Sequence, residues 1–453
     1  MFQSDYYLNK KISIFGAGVS GRSLSLLAKK MGATVFVSDS NELSLDTVTF
    51  FRVNSINFES SCNSAKLFDA DEIIVSSGIS PDNPMLLEAV NRGITVKGEL
   101  DFISQFIDCP VIAVTGSNGK TTTTSMIGDL LKKAGYKVGI CGNIGNPIAK
   151  VIGEDYDYIV AELSSFQLYR AKTFKCDIAI VTNLAPDHIT WHGSYENYVK
   201  SKAKIISSLR DNGFAIYQKR DELAFEFGNV KKLPLSWSNV SEIDGIYLDS
   251  EERKIYLRKE SKVNCLLDFN IVKLLGNHNL ENVAMVVSVL SILNLTINKE
   301  DIISFVPPKH RCAFVEKIKG ITFVDDSKGT NVAASVTAMT SISGRKIVIL
   351  GGQGKGEDYS LLAETVIAQA RYVVLIGEEK LKIANVLDKY NYREYKFADN
   401  MAEAVDVAYS LATENDIVLL SPACTSWDMY PSYAVRGDDF VNCVKTIKIK
   451  END

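Results

Sequence analysis

The sequence predicts an α/β fold of three domains. Its 453 residues suit about three domains at ~150 residues each. Short apolar runs recur along the chain, and each is followed by a glycine-rich or polar turn and then by a helical pattern, which is typical of parallel sheets. We therefore expect a Rossmann-like domain over residues 1–99, a central parallel sheet of the phosphate-loop ATPase type with a small β excursion over 100–305, and a Rossmann-like domain over 306–453.

The composition excludes several classes of protein. The chain is 46% hydrophobic and 23% charged with a net charge of -5, which gives no reason to expect a nucleic-acid partner. No apolar run approaches the ~20 residues of a membrane helix, and the first residues lack the basic and apolar regions of a signal peptide. The eight cysteines are scattered without a C-x-x-C pair, which indicates reduced, mostly buried thiols in a cytoplasmic protein.

The first domain opens with a nucleotide-binding pattern. A strand at 11–15 leads into the glycine turn 16–21, a helix, and a second strand that ends at Asp39, an acidic residue suited to a ribose hydroxyl. The turn alone is compatible with an NAD-dependent oxidoreductase or with binding of another nucleotide. A further turn of small residues, Ser76-Ser77-Gly78, follows the strand at 72–75, and no substrate domain of a dehydrogenase comes after it. We therefore favour a nucleotide-linked substrate.

The strongest motif is T-G-S-N-G-K-T at residues 115–121, between an apolar strand at 111–114 and a helix that begins near Thr121. Its glycines let backbone N–H groups point at a phosphate, and the helix N-terminus adds a partial positive charge. Lys120 is suited to the β- and γ-phosphates of ATP, and Thr121 to Mg²⁺. An ordinary capped turn is the alternative, and the strand-turn-helix context argues against it. The expected ATP contacts in this motif are Gly116, Ser117, Asn118, Gly119, Lys120, Thr121 and Thr122.

Three more strands of the central domain, at 137–141, 158–161 and 178–181, each end at polar residues. Because parallel strands present their carboxyl ends at one edge of a sheet, Glu162 is expected near the phosphate loop. We interpret it as an Mg²⁺ ligand rather than a surface glutamate.

His188, which lies beside Asp187 just after a strand, is favoured as a functional residue, whereas His192 is left undecided. The next helix carries three lysines, Lys200, Lys202 and Lys204. By pattern alone they form a solvated basic face.

Residues 214–275 lack the periodic apolar pattern of helices, and a β-hairpin is predicted within 246–257. The helix that follows carries Asn279 and Asn282, whose amides suit either helix capping or an adenine edge. Pro307-Pro308 marks a linker.

The last domain repeats strand-and-helix units, and three polar loops follow its strands, at 325–331, 351–356 and 421–428. The glycine-rich loop 351–356 is not a second ATP site, because no Ser or Thr follows Lys355. An amine beside hydroxyls suits a carboxylate ligand instead.

Taken together, the motifs resemble those of the Mur ligase family over nearly the full chain. The similar segments are T-G-S-N-G-K-T-T, E-L-S-S-F-Q-L, N-L-A-P-D-H, G-N-H-N-L-E-N and H-R-C-A-F-V-E. D-D-S-K-G-T-N and S-P-A-C-T-S-W-D-M-Y resemble the member of the family that handles D-glutamate. The resemblance implies ATP-dependent addition of D-glutamate to UDP-N-acetylmuramoyl-L-alanine through an acyl phosphate, in peptidoglycan precursor synthesis, by a cytoplasmic enzyme that we expect to be a monomer.

The resemblance also implies roles for single residues. The UDP moiety would be held by Val19, Ser20, Asp39, Ser76 and Gly78, and the substrate or phosphates would be faced by Asn143 and Ser164. The last ATP contacts would be Asn279, Asn282, Arg311 and Asp326, with Asp326 on the ribose. D-Glutamate would be surrounded by Thr330, Lys355, Ser426, Trp427 and Tyr433, although Trp427 and Tyr433 are equally suited to packing.

Two Mg²⁺ ions are implied, one held by Thr121 and Glu162 and the other by His188 and a carbamylated Lys202. Lys200 and Lys204 are the alternatives for the modified lysine, and an unmodified exposed lysine is the simpler interpretation. Lys120, Glu162, His188 and Lys202 are thus the expected catalytic residues. Three rival functions are a folylpolyglutamate-type ligase, an NAD-dependent oxidoreductase, and a nucleotide-regulated binding protein without chemistry.

Overall fold

The computed structural model describes residues 7–143, 146–272, 276–296, 298–306 and 309–452. The first six residues, Ile144-Gly145 of the turn after the second central strand, and the predicted linker Pro307-Pro308 lie outside them. The described chain forms two compact units. The first holds residues up to Leu184 together with Glu196–Asp268 and Ala284–Asp301, and the second holds Ala185–Tyr195, Phe269–Val283 and the chain from Ile302 onward.

The first unit contains two sheets, of which the first has five parallel strands in the order β3-β2-β1-β4-β5. Its strands are β1 Lys11–Phe15, β2 Thr34–Ser38, β3 Asn57–Glu59, β4 Glu72–Val75 and β5 Thr95–Gly98. Its helices are α1 Val19–Lys30, α2 Leu45–Val53, α3 Pro84–Asn91 and α4 Glu99–Ser104.

The central sheet has nine strands in the order β14-β13-β12-β11-β10-β9-β6-β8-β7. They are β6 Val111–Thr115, β7 Val138–Gly142, β8 Tyr158–Glu162, β9 Cys176–Val181, β10 Leu209–Gln218, β11 Lys231–Trp237, β12 Gly245–Asp249, β13 Lys254–Lys259 and β14 Lys262–Asp268. The helices that follow β6 in the chain, up to the last sheet, are α5 Lys120–Lys133, α6 Ser165–Tyr169, α7 Ile189–His192, α8 Tyr195–Ser207, α9 Asn277–Ile292 and α10 Lys299–Ile303. The pairing is parallel from β7 to β12 and antiparallel among β12, β13 and β14, so the predicted hairpin and β excursion are confirmed.

The sheet of the second unit has six strands in the order β15-β16-β20-β17-β18-β19, parallel except for the β15–β16 pair. Its strands are β15 Ala313–Ile318, β16 Ile321–Asp325, β17 Lys346–Gly351, β18 Ala370–Ile376, β19 Tyr395–Phe397 and β20 Ile417–Leu420. Its helices are α11 Val332–Ser341, α12 Ser360–Gln369, α13 Lys380–Lys389, α14 Met401–Leu411 and α15 Tyr433–Asn452. The predicted fold class, an α/β protein with three predominantly parallel sheets, is confirmed.

The apolar runs become central strands because both faces of a parallel sheet are covered. Every residue of β6 and of β17 is buried. Local signals then set the starts of helices: Asn331 accepts the Ala334 N–H at the start of α11, and Asn400 accepts the Glu403 N–H at the start of α14. The polar residues after each strand are thereby left at the carboxyl edge of their own sheet.

The cysteines differ in part from the expectation drawn from composition. All eight cysteines are free, but only four are buried, so the prediction of mostly buried thiols is wrong for the others. Cys62 lies in the loop after β3 and Cys265 on the edge strand β14, where both are exposed, whereas Cys141 of β7 and Cys176 of β9 are buried. Among the described helices, none combines the length and apolar character that a membrane span requires.

Candidate active site

The phosphate loop joins the buried strand β6 to helix α5 in the first unit. Gly119 caps the helix with φ 82°, and Gly116 has φ 144°. A Cβ at Gly116 would lie 1.9 Å from the Thr182 hydroxyl, so close approach of β9 requires glycine there. The loop is held from the other side by Asn183, whose backbone and side-chain oxygens accept the N–H groups of Ser117 and Asn118 at 2.9 and 3.0 Å.

Lys120 lies over this loop. Its Nζ donates to the carbonyls of Gly116 and Ser117, both at 2.8 Å. Thr121 and Thr122 are buried in the first turn of α5. The geometry is that of an anion cradle, with a cation above backbone N–H groups at a helix N-terminus.

Glu162 ends β8, and its backbone is opposite Val114 of β6 and Gly142 of β7. The residue is 1% exposed, so the surface alternative is wrong. Its Oε1 accepts the Asn143 Nδ2–H at 3.1 Å, whereas Oε2 is buried without a hydrogen-bond partner among the described residues. An unsatisfied buried carboxylate oxygen beside a threonine-bearing phosphate loop fits Mg²⁺, a hard cation that takes oxygen ligands.

The three lysines of α8 have different surroundings. Lys200 is exposed and pairs with Glu196 at 2.6 Å. Lys204 donates to the Tyr169 carbonyl. The basic-face interpretation is therefore correct for Lys200 and wrong for Lys202, which is 2% exposed.

Lys202 faces the phosphate loop. Its Nζ donates to the Gly116 carbonyl at 2.7 Å and to the Thr115 hydroxyl at 3.4 Å, and it lies 4.9 Å from the centre of the Tyr198 ring. The Tyr198 hydroxyl in turn is 2.8 Å from the Ser117 hydroxyl. Sequence reasoning missed Tyr198, although its position four residues before Lys202 places both on one helical face.

Ser164, predicted to face the substrate or phosphates, also caps helix α6. Its hydroxyl accepts the Gln167 N–H at the start of α6, and the Gln167 side chain accepts the Ser164 N–H in return, forming a capping box. Gln167 also donates to Glu99, whose pKa is raised by burial and lowered in part by hydrogen bonds from Gln167 and Ser20. Ser20, a predicted substrate residue, is thereby tied to the start of α6.

In the glycine turn of the first sheet, Asp39 is bonded to the backbone. Its Oδ2 accepts the Ala17 N–H at 2.7 Å, and its Oδ1 accepts the Asn41 N–H at 2.9 Å. Ser76 donates to the Gly16 carbonyl at 3.2 Å. Asp39 and Ser76 thus hold the turn, while the predicted substrate residues Val19 and Gly78 are exposed beside it.

In the second unit, Asp187 connects two of the loops predicted to bind the amino acid. Its Oδ2 accepts the Asn331 Nδ2–H at 3.0 Å, and its Oδ1 lies 3.5 Å from Lys355 Nζ. His188 has φ 53°, and its Nε2 is 3.6 Å from Asp187 Oδ2. Lys355 therefore faces a carboxylate, as an amine suited to a carboxylate ligand would. The role of Asp187 was missed by sequence reasoning because Asn331 and Lys355 are more than 140 residues away.

Four predicted ATP contacts share the second unit. Asn282 Nδ2 donates to Asn279 Oδ1 at 3.3 Å, and both residues are buried. The neighbouring His278 has a pKa lowered to about 4, by burial first and by the charge of Arg311 second. Arg311 thus lies within electrostatic reach of the asparagines' helix.

Asp326 is buried and bonded to protein groups rather than open at the strand end. Its Oδ2 accepts the Ser421 hydroxyl at 2.7 Å, and its Oδ1 accepts the Cys312 N–H at 3.2 Å. Burial raises the pKa of Asp326 to about 7, with a further small increase from Asp325, while those hydrogen bonds and Arg311 oppose the rise.

Arg436 was absent from the sequence prediction, yet it joins two predicted amino-acid loops. It is 2% exposed, and burial lowers its pKa to about 10. Its N–H groups donate to Ser327 Oγ at 3.0 Å, Ser327 O at 2.7 Å, Cys424 O at 3.1 and 3.2 Å, and Thr425 O at 3.0 Å. A lone arginine in a terminal helix carries no sequence signal for this role.

The remaining predicted amino-acid residues differ in exposure. Ser426 is 2% exposed, and Thr330 is half-buried. Tyr433 accepts a hydrogen bond from Lys328 Nζ at 2.9 Å. Trp427 is 68% exposed, so the alternative that it packs in the domain interior is wrong.

Among the described residues, no cluster of three or more His, Cys, Asp or Glu side chains is arranged to hold a metal. A metal at the phosphate loop would therefore depend on a mixed set of donors, such as the Thr121 hydroxyl and the Glu162 carboxylate.

Comparison with known proteins decides the family. The model of the Mur ligase middle domain matches residues 114–290, that of the Mur ligase glutamate ligase domain 310–424, and that of the MurD N-terminal domain 11–85. The UDP-N-acetylmuramoylalanine–D-glutamate ligase of Thermoanaerobacter pseudethanolicus is 33% identical over 451 residues, which cover 97% of this chain and 99% of that protein. The chain belongs to the Mur ligase family. A Streptococcus pneumoniae protein of the same name is 35% identical over 454 residues, covering 98% and 99%.

Solved Mur ligase structures share the fold. The pseudomurein peptide ligase type C of Methanothermus fervidus has a TM-score of 0.60 at 20% identity and covers 97% of this chain and 100% of its own. The MurF ligase of Thermotoga maritima, solved in complex with ADP, has a TM-score of 0.57 at 16% identity, with coverage of 90% and 94%. At these identities the likeness concerns the fold alone.

Proposed function

We propose that this Mur ligase joins D-glutamate to UDP-N-acetylmuramoyl-L-alanine with cleavage of ATP to ADP and phosphate, in cytoplasmic peptidoglycan precursor synthesis. The observation that carries the chemistry is that Lys120 and Lys202 both donate to the Gly116 carbonyl, while Glu162 lies opposite Val114 in the strand that leads into the same loop. The choice of D-glutamate and of the UDP-linked partner is supported by the names of relatives that match over the full chain.

The reaction needs an activated carboxylate, because a carboxylate anion resists attack by an amine. The γ-phosphoryl group of ATP passes to the L-alanine carboxylate, giving ADP and an acyl phosphate. The neutral D-glutamate amine attacks the acyl carbon, and the tetrahedral intermediate expels phosphate as the amide forms and the amine releases a proton. In this scheme the protein acts through positioning and charge stabilisation.

Lys120 and the loop N–H groups are assigned to the transferred phosphoryl group. Thr121 and Glu162 would hold Mg²⁺, which would neutralise phosphate charge, and the unsatisfied Oε2 of Glu162 supports this assignment. The other ATP contacts are proposed to be Asn279, Asn282, Arg311 and Asp326.

We assign carbamylation to Lys202 rather than to Lys200 or Lys204. A buried ammonium next to a metal site would be repelled by the metal, whereas a carbamate is an anion with oxygen donors that suits a second Mg²⁺. Lys202 is the lysine of α8 that contacts the phosphate loop. The assignment of His188 to the second ion rests on the family motif.

We assign the substrate contacts to the loops at the carboxyl ends of the first and last sheets. Lys355 is assigned to a carboxylate of D-glutamate, supported by its approach to the Asp187 carboxylate. Its neighbours there would be Thr330, Ser426, Trp427 and Tyr433, and the UDP moiety would contact Val19, Ser20, Asp39, Ser76 and Gly78, with Asn143 and Ser164 toward the reacting end. The domain bounds 1–99, 100–305 and 306–453 and the monomeric state remain part of this proposal.

The test is phosphate release from ATP with purified protein, Mg²⁺ and UDP-N-acetylmuramoyl-L-alanine, with each candidate amino acid supplied in turn. We expect release that requires both the UDP-linked substrate and D-glutamate, and none from Lys120→Ala. Preference for L-glutamate or a diamino acid would contradict the acceptor assignment, and release without any acceptor would contradict the ligase reaction.

A further inference from the structure

A second cationic site lies in the first unit, away from the phosphate loop. A cavity of about 360 Å³ is lined by Val96, Gly98, Tyr169, Arg170, Lys172 and Lys204. Gly98 ends β5 of the first sheet, Tyr169 and Arg170 end α6, and Lys204 lies on α8. Three cationic side chains thus meet in one cavity, two from the end of α6 and the loop that follows it and one from α8.

The three cations are not neutralised by a carboxylate. In the described part of the chain, neither Arg170, Lys172 nor Lys204 forms an ion pair, and Lys204 and Arg170 bond instead to carbonyl oxygens. Arg170 Nη2 is 3.4 Å from the carbonyls of both Ile79 and Ser80, in the loop after β4. Long, neutral contacts of this kind leave most of the guanidinium's hydrogen-bonding capacity available.

The nearby carboxylate is committed elsewhere. Asp101 accepts the backbone N–H groups of Lys172, Thr173 and Phe174 at 2.8 to 3.2 Å. It therefore fixes the backbone that presents Lys172 instead of pairing with the lysine. Asp101 is itself buried in α4, so the backbone at Lys172 is bonded to an interior side chain.

The electrostatic effects agree with this arrangement. The charges of Lys172 and Arg170 both act on Lys204, so the three side chains lie within electrostatic range of one another. Burial lowers the pKa of Arg170. Cations that repel one another gain free energy when an anion enters between them.

We propose that this cavity is a binding site for a phosphate-class anion, with Arg170 as the planar donor and Lys172 and Lys204 as point charges. A guanidinium matches two oxygens of a phosphate, and two ammonium groups balance its remaining charge. The cavity volume lies within the usual range of small-ligand sites, about 300–1,000 Å³. The site takes either the diphosphate of a uridine nucleotide or a separate phosphate-bearing anion, and the experiment distinguishes these sources.

The primary test is calorimetric titration of the full-length protein with pyrophosphate, in a buffer free of phosphate and Mg²⁺. Lys120→Ala serves as the parent, so that binding at the phosphate loop is suppressed. Adding Arg170→Met or Lys204→Met should weaken pyrophosphate binding at least about tenfold, since each removes a charge and leaves the hydrocarbon stem. The matched control is Lys200→Met, four residues earlier on α8, exposed and paired with Glu196, which should leave the affinity within twofold.

A second measurement needs no variant. In the wild-type protein, pyrophosphate should slow acetylation of Lys172 and Lys204 several-fold, measured by mass spectrometry, while Lys200 reacts at an unchanged rate. Equal affinities in all variants, or equal acetylation of Lys204 with and without pyrophosphate, would overturn the proposal.

Competition with UDP then assigns the source. Displacement of pyrophosphate by UDP identifies the anion as a nucleotide diphosphate, whereas simultaneous binding identifies a separate phosphate-class ligand, and either result supports the site. The proposed ligase reaction is scored independently by D-glutamate-dependent phosphate release, so failure of the anion site does not imply failure of the reaction.

Discussion

Replacing Arg436 tests whether one buried guanidinium holds the loops at 325–331 and 421–428 together. In Arg436→Met the hydrocarbon fills most of the same space but donates no hydrogen bonds. Thr425 O keeps its bond from the Gln353 N–H at 3.0 Å, and the Ser327 hydroxyl keeps donating to Tyr433 O at 2.8 Å. Ser327 O and Cys424 O lose the donors that the described residues provide.

The magnitude follows from those two carbonyls. A buried acceptor left without a donor costs about 1–3 kcal/mol, so the free energy of unfolding should fall by about 2–6 kcal/mol. Arg436→Lys keeps a cation with up to three donors and should recover part of this loss. Arg393→Met is the control, because Arg393 is 69% exposed in a surface ion pair with Asp388, and such pairs contribute about 0–1 kcal/mol.

The assay is denaturant unfolding of each variant, together with the KM for D-glutamate in the phosphate-release reaction. We expect Arg436→Lys to unfold later than Arg436→Met and to raise the KM for D-glutamate more than the KM for ATP. If Arg436→Met unfolds within about 0.5 kcal/mol of the wild type, or if the lysine variant is no better than methionine, the hydrogen-bond reasoning is refuted.

Lys202→Ala should be nearly inactive in the phosphate-release reaction, and acetate should partly restore its activity because acetate would replace the carbamate oxygens. The control Lys200→Ala should retain activity. Full activity of Lys202→Ala would contradict the carbamate assignment. Lys120→Ala should lose acyl phosphate formation, because a cation that binds the transferred phosphate contributes roughly a few kcal/mol to transition-state stabilisation. Trapping a near-normal amount of acyl phosphate from this variant would contradict the expectation. Because burial raises the pKa of Asp326 from 3.8 to about 7, the native state keeps a proton that the unfolded chain releases. The free energy of unfolding should therefore fall by up to about 4 kcal/mol as pH rises from about 4 to 7. In Asp326→Asn, the free energy of unfolding should depend less on pH over this range. Equal pH dependence in the variant and the wild type would count against a buried, protonated carboxyl.

The alternation of elements and the phosphate loop followed from the sequence because their causes are local. Apolar runs such as Lys11–Phe15 and Glu72–Val75 are strands with the predicted bounds. Gly116 and Gly119 were identifiable because the turn between strand and helix needs backbone conformations that other residues rarely adopt.

The surroundings of individual side chains were decided by the tertiary structure. The spacing of Lys200, Lys202 and Lys204 fixes how the three side chains are arranged around α8, but not which of them faces the phosphate loop. Lys202 is the one that is buried, because its side of α8 packs against the end of β6. The roles of Asp187 and Arg436 also depend on the tertiary structure. Asp187 bonds to a partner more than 100 residues away, and Arg436 bonds to partners on two separate loops. A sequence specifies local backbone geometry through short-range sterics and hydrogen bonding, whereas burial and charge environment depend on which distant surfaces the fold brings together.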